Sequence, residues 1–213
     1  MPIVISQYQS KDIKIPASLR REEITLERGA SADIDIGNSN HAELDIRLIG
    51  EYASMRVFGA FRGKDEEEQD IVLRIFQDAP NTTANVVFRA ALWGRAMSRF
   101  DALIRIGENA KGARGKLSYR ALLLSEGARA KPIPRLEILT KEVASAGHEA
   151  TVGKIDPAQL FYMQSRGLSR EEAERLVVEG FLDIATKYEM VRKGFPHPLP
   201  PPQRGGGLGK GFS

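Results

Sequence analysis

Among 213 residues there is no cysteine, one tryptophan and only three histidines. Without cysteine the chain forms no disulfide, offers no thiolate to a metal and has no cysteine nucleophile, so any thiolate chemistry must come from a partner. His41, His148 and His197 are too few and too scattered for an all-protein metal site, which wants three or four donors. No apolar run approaches the roughly 18–20 residues that span a bilayer. The N-terminal MPIVISQYQSKDIKIP lacks the basic region, apolar core and cleavage site of a secretion signal. The chain therefore reads as soluble and cytoplasmic, with no membrane partner.

Positive charge is scarce where a nucleic acid would need it. The chain carries +3, but Lys187, Arg192, Lys193, Arg204 and Lys210 against Glu189 give the stretch from Lys187 onward +4. Residues 1–186 therefore sum to −1, and the body has no electrostatic footprint for DNA or RNA. Signatures of catalysis are missing too. There is no Ser-His-Asp order and no paired-carboxylate pattern, and DEEEQD (Asp65 to Asp70) reads as a solvated turn. A phosphate-binding loop needs G-x-x-x-x-G-K-[ST] between a strand and a helix. In the terminal GGGLGKG, Arg204 stands where the first Gly belongs and Gly211 replaces the Ser/Thr. The chain is read as not an enzyme.

What is present is alternation. From about Glu23 to Glu137 short runs such as AELDIRLIG, SMRVFGAF, DIVLRIF, ANVVFRAAL and DALIRIG set an apolar residue at every second position, as in Leu44, Ile46 and Leu48. Clusters such as GNSN (Gly37 to Asn40) and GENAKGARG punctuate them. The pattern predicts an all-β body with a small α appendage. It leaves sandwich, barrel and β-helix open, because no strict repeat unit is visible.

After Gly153 the period changes. Asp156 caps a helix that opens on Pro157, where the missing N–H costs nothing, and Gly167 closes it. Ser169 and Glu172 form an S-x-x-E capping box for a second helix. Ala173, Leu176, Val177, Gly180, Phe181, Ile184 and Tyr188 fall on one stripe of it. From Gly194 the chain is Pro-rich, then Gly-rich, a composition predicting a disordered tail. The expected domains are an N-terminal extension (1–22), a β core (23–153), a helical domain (154–193) and the tail (194–213).

The stretch GHEATVGKIDPAQLFYMQSRGLSREEAERLVVEGFL, Gly147 to Leu182, resembles the C-terminal signature of the SufB/SufD family of the SUF iron–sulfur cluster assembly system. GAF (Gly59 to Phe61), NTTANVVFRAAL (Asn81 to Leu92) and ALLLSEGARAKPIPRLEI (Ala121 to Ile138) fit the same family in the same order, so the likeness covers roughly Glu23 to Tyr188. It implies a right-handed parallel β-helix followed by a C-terminal helical domain. It also implies a scaffold subunit that pairs with a SufB/SufD-like subunit, as a homo- or heterodimer, and works with a SufC-like ABC ATPase. A transient iron–sulfur cluster would form at the subunit junction, with His148 as an imidazole ligand and Glu149 as second ligand or as orienter of the ring. Phe161, Tyr162, Arg166, Leu176, Val177, Phe181 and Ile184 would form the ATPase-binding face.

Two departures from the family pattern stand out. The cysteine that SufB-type members carry on a late strand falls near Tyr119 or Arg120, and the cysteine many SufD-type members carry before the signature His is Ala146. The N-terminal helical region of longer members has little counterpart. The alternative is a structural or interaction β-helix protein of the same family without cluster chemistry. A sugar-active β-helix enzyme would need acidic residues clustered along one sheet, and none is evident.

Overall fold

The structure, a computed structural model, describes residues 2–16 and 21–187. Twelve strands run in chain order: β1 (Ile3–Ile5), β2 (Ser10–Lys14), β3 (Glu22–Leu26), β4 (Ser31–Gly37), β5 (His41–Leu48), β6 (Ser54–Gly63), β7 (Glu68–Gln77), β8 (Thr83–Leu92), β9 (Met97–Ile106), β10 (Arg114–Leu123), β11 (Arg129–Ile138) and β12 (Ser145–Gly153). Two helices follow, α1 (Pro157–Ser165) and α2 (Arg170–Lys187). One sheet has the order β1-β3-β5-β7-β9-β11 and the other β12-β10-β8-β6-β4-β2. We call these sheets A and B.

Each strand pairs in parallel with the strand two places away in sequence. The chain therefore visits sheet A, then sheet B, then A again, winding a β-helix. This settles the choice that alternation left open, since among the described residues consecutive strands never pair as hairpins. Segment 1–22, set apart as an extension in the sequence reading, supplies β1, β2 and the first residue of β3, and so begins the winding. His41 opens β5.

Alternation decides what lies inside. Leu44, Ile46 and Leu48 are fully buried, and the facing sheet contributes Ala84, Val86, Phe88, Ala90 and Leu92. In the early windings the largest buried side chains are aliphatic (Ile5, Ile24, Leu26, Ile34, Ile36), whereas later windings bury Phe61, Phe88, Phe100 and Tyr119. The last three rings form one column, with Phe100 and Tyr119 stacked at 5.0 Å between centroids and Phe88 tilted by 31° against Phe100 at 5.1 Å. Gly59 is where this packing needs a missing side chain, because a Cβ there would lie 2.5 Å from the Phe88 ring. A polar thread crosses the same core. Tyr119 Oη donates to Ser98 Oγ (3.0 Å), Ser98 Oγ to Gln69 Oε1 (2.9 Å), and Gln69 Nε2 to the Ser39 carbonyl (2.9 Å). All four residues are buried and each of these groups is satisfied.

Outward positions of sheet A carry charges that pair between windings. Arg74 bridges Glu43 and Asp45, Arg21 reaches Asp45 at 2.6 Å, Arg99 meets Asp70 and Asp101, and Arg135 meets Asp101. On sheet B the outward face is partly covered. Helix α2 crosses β6 and β8, burying Ala173, Val178 and Leu182, so that the second half of β8 is buried on both faces. Val177 and Phe181 pack half-buried against the same cluster, which includes Ala60, Ala91, Trp93 and Leu122. The buried stripe is thus rotated from the sequence expectation: Leu176 is 43% exposed and Gly180 is exposed. Both helix starts form as their sequences predict. Asp156 accepts from the Ala158 N–H at 2.9 Å, and Ser169 and Glu172 exchange reciprocal bonds of 3.1 and 2.9 Å. The side chain of Ile184, Tyr188 and the predicted tail lie outside the described residues.

Candidate functional site on the last strand

β12 ends sheet B and pairs with β10, placing His148 opposite Leu117 and Glu149 opposite Ser118. Neighbouring residues of a strand point to opposite faces. His148 shares its side with Leu117 and Val86, both core residues, so its imidazole stands over the open end of the interior, where it is exposed. Gly115, Lys116, Leu117 and Ser145 line the shallow depression around it.

Glu149 faces the other way. Its Oε1 accepts from Ser118 Oγ (2.7 Å) and Arg120 Nη2 (3.1 Å), and its Oε2 accepts from Arg120 Nη2 (3.3 Å). The Ser118 hydrogen bond, then the Arg120 hydrogen bond, hold its carboxyl below the usual carboxylate range. Behind Ser118 lies Arg89 on β8, a buried guanidinium whose Nη1 donates to Ser118 Oγ (3.1 Å) and the Phe88 carbonyl (3.0 Å). Its Cζ lies 5.9 Å from the centre of the Phe181 ring on α2. Sequence reading missed Arg89 and Ser118. Their signal is the winding: Ser118 follows Arg89 by 29 residues and precedes Glu149 by 31.

Of the two positions matched to the family's late-strand cysteine, Tyr119 points into the core and Arg120 outward to Glu149. Burial pushes the Tyr119 phenol up to about 12. Ala146 pairs with Gly115 and is exposed. Among the described residues no group of three or more His, Cys, Asp or Glu could hold a metal ion.

The two sheet edges at this end differ. On β11 the Arg129 N–H donates to the Ala96 carbonyl and the Leu139 N–H to the Ile106 carbonyl, so the odd-numbered positions face β9. Pro132 and Pro134 therefore face the open edge and offer it no N–H. β12 (SAGHEATVG) has no proline, and the same alternation turns the backbone of Ala146, His148, Ala150 and Val152 to its open edge.

The proposed partner-binding residues fall into two sets. Phe161 (72%) and Tyr162 (59%) are exposed on α1, with Arg166 Cζ 5.2 Å from the centre of the Tyr162 ring and Leu176 exposed on α2. Val177 and Phe181 are instead turned partly onto sheet B.

Fold and site together define a class: a parallel β-helix followed by a helical hairpin, with polar groups on its last strand. Residues 17–181 match the SufBD core domain of SUF system FeS cluster assembly, and the chain belongs to that family. It is 36% identical over 141 residues to an iron–sulfur cluster assembly SufBD family protein of Mycobacterium bovis, covering 66% of this chain and 16% of that protein. A protein of the same description from Staphylococcus aureus is 34% identical over 141 residues, covering 66% of this chain and 30% of that protein. The match thus spans less than a third of either relative's length. Among the described residues no helix is long and apolar enough to cross a membrane.

Proposed function

We propose that this chain is a non-catalytic scaffold subunit of a SUF-type iron–sulfur cluster assembly complex. In this reading it pairs through β12 with a second SufB/SufD-like subunit and works in the cytoplasm with a SufC-like ABC ATPase docked on the exposed side of α1 and α2. The observation that carries the reading is the setting of His148. An imidazole sits on an exposed, proline-free edge, where a partner strand would bring further ligands beside it. One imidazole, with a carboxylate on the opposite face, holds no cluster unaided. Iron and sulfide are the cargo, and the partner supplies the thiolates.

The test is anaerobic reconstitution of the purified complex, reading iron, sulfide and visible absorbance. His148→Ala should leave folding and partner binding intact and abolish cluster accumulation. Glu149→Gln should have a smaller effect, because Ser118 and Arg120 already occupy that carboxylate. Wild-type complex that gathers iron and sulfide no better than His148→Ala would overturn the reading. It would leave the second one, a structural β-helix subunit without cluster chemistry, which the absence of cysteine favours.

A further inference from the structure

Arg89 is a charged group in a buried place, 6% exposed. Burying a guanidinium is costly unless its donors are used. Here Nη1 serves two acceptors in different layers of sheet B: the Phe88 carbonyl on its own strand and Ser118 Oγ on the next. A hydroxyl that accepts from Arg89 has its own hydrogen free, and Ser118 spends it on Glu149 at 2.7 Å. Arg89 therefore fixes which way the Ser118 hydroxyl points, and so which way the Glu149 carboxylate is pulled. On its other side the guanidinium lies against the ring of Phe181. Phe181 belongs to α2 and packs with Val178 and Leu182 on the cluster that seats this helix.

We propose that Arg89 is a positioning residue that ties the seating of α2 on sheet B to the orientation of the Glu149 carboxylate on the terminal strand. The line Phe181–Arg89–Ser118–Glu149 crosses β8, β10 and β12 in successive windings. A partner that shifts α2 loosens Arg89, and the loosened Arg89 releases Ser118. The carboxylate then falls to Arg120 alone, beside the donor edge. Its meaning for cluster assembly rests on the function proposed above, but the coupling itself does not.

The experiment reads Glu149 directly, by the carboxyl ¹³C resonance of the full-length protein at neutral pH. Ser118→Ala removes the hydrogen bond and should move that resonance. Phe181→Leu keeps an apolar side chain against the sheet and removes the ring, and it should move the resonance in the same direction. In the double variant the displacement should be smaller than the sum of the two, because both act through one line. Arg89→Lys keeps the charge and loses the planar fork, and it should reproduce the Phe181→Leu shift. If Arg89→Lys does not fold, Phe181→Leu decides. A Glu149 resonance that responds to Ser118→Ala but stays fixed in Phe181→Leu overturns the proposal. So does strict additivity in the double variant. Failure of iron and sulfide to bind the wild-type complex would count against the proposed function and leave this test unaffected.

Discussion

The buried thread Tyr119–Ser98–Gln69 predicts a reversal of sign. Tyr119→Phe deletes one hydrogen bond and leaves Ser98 still donating to Gln69, so the net cost is about 1 kcal/mol. Ser98→Ala strands two groups at once, the Tyr119 hydroxyl and Gln69 Oε1, both in residues no more than 1% exposed. At about 1–3 kcal/mol for each stranded group, Ser98→Ala should cost roughly 2–6 kcal/mol. In the Ser98→Ala background, Tyr119→Phe then removes a stranded donor, and a change that destabilises the native protein should stabilise the variant by about 1 kcal/mol or more. Urea denaturation followed by the fluorescence of the single tryptophan, Trp93, measures all four corners of the cycle. The same tyrosine sets an alkaline signature. Its folded pKa lies above the ordinary value of 10, raised by burial to about 12, so the stability it contributes is full below about pH 10 and is lost as pH rises toward 12. The wild-type protein should lose roughly 2–3 kcal/mol more than Tyr119→Phe across that window. Additive energies in the cycle, or Ser98→Ala costing less than Tyr119→Phe, would refute the thread as described.

Two further predictions concern the surfaces. Burial pushes the Asp45 carboxyl up, but hydrogen bonds from Arg21 and Arg74 outweigh this and hold it below 3.8, so its contribution is present above that value and fades as pH falls through its folded pKa. Asp45→Asn should cost roughly 1 kcal/mol in neutral urea titrations and less in 1 M salt. Asp78→Asn, which loses one exposed bridge at 3.5 Å, should be nearly silent. Replacing Pro132 and Pro134 together by alanine restores two N–H groups to the open edge of β11. Sedimentation at high concentration should then show association that the native chain avoids on that edge, and an unchanged profile would refute the blocking role of the prolines.

The strands were legible because one face of each is buried: Leu44, Ile46 and Leu48 declare it by type and spacing. Both helix starts were legible because capping is local chemistry within four residues. The winding was hidden. Partners such as Arg89 and Ser118 lie 29 residues apart, and a parallel neighbour at that distance leaves no mark in a short window. The family resemblance supplied that reading, since inward positions vary from Ala102 to Leu73 along one column of sheet A. The buried face of α2 was misplaced by about one position because its apolar residues exceed what sheet B covers, and nothing in the stripe says whether Leu176 or Val178 turns inward. His148 and Glu149 were read as a pair, yet on a strand adjacent side chains part to opposite faces.

The windings also widen along the chain. β1 and β2 have three and five residues, whereas β11 and β12 have ten and nine. Aliphatic side chains fill the narrow beginning and aromatic rings the broad finish. Two copies stacked head to tail would set a five-residue rim against a nine-residue one, leaving several backbone groups of the longer rim facing nothing. Broad rim against broad rim matches in length, as does narrow against narrow. For two copies meeting at these rims, taper would act as a length gauge: it disfavours β12 against β2, and the prolines of β11 leave β12 as the broad edge whose backbone can be matched.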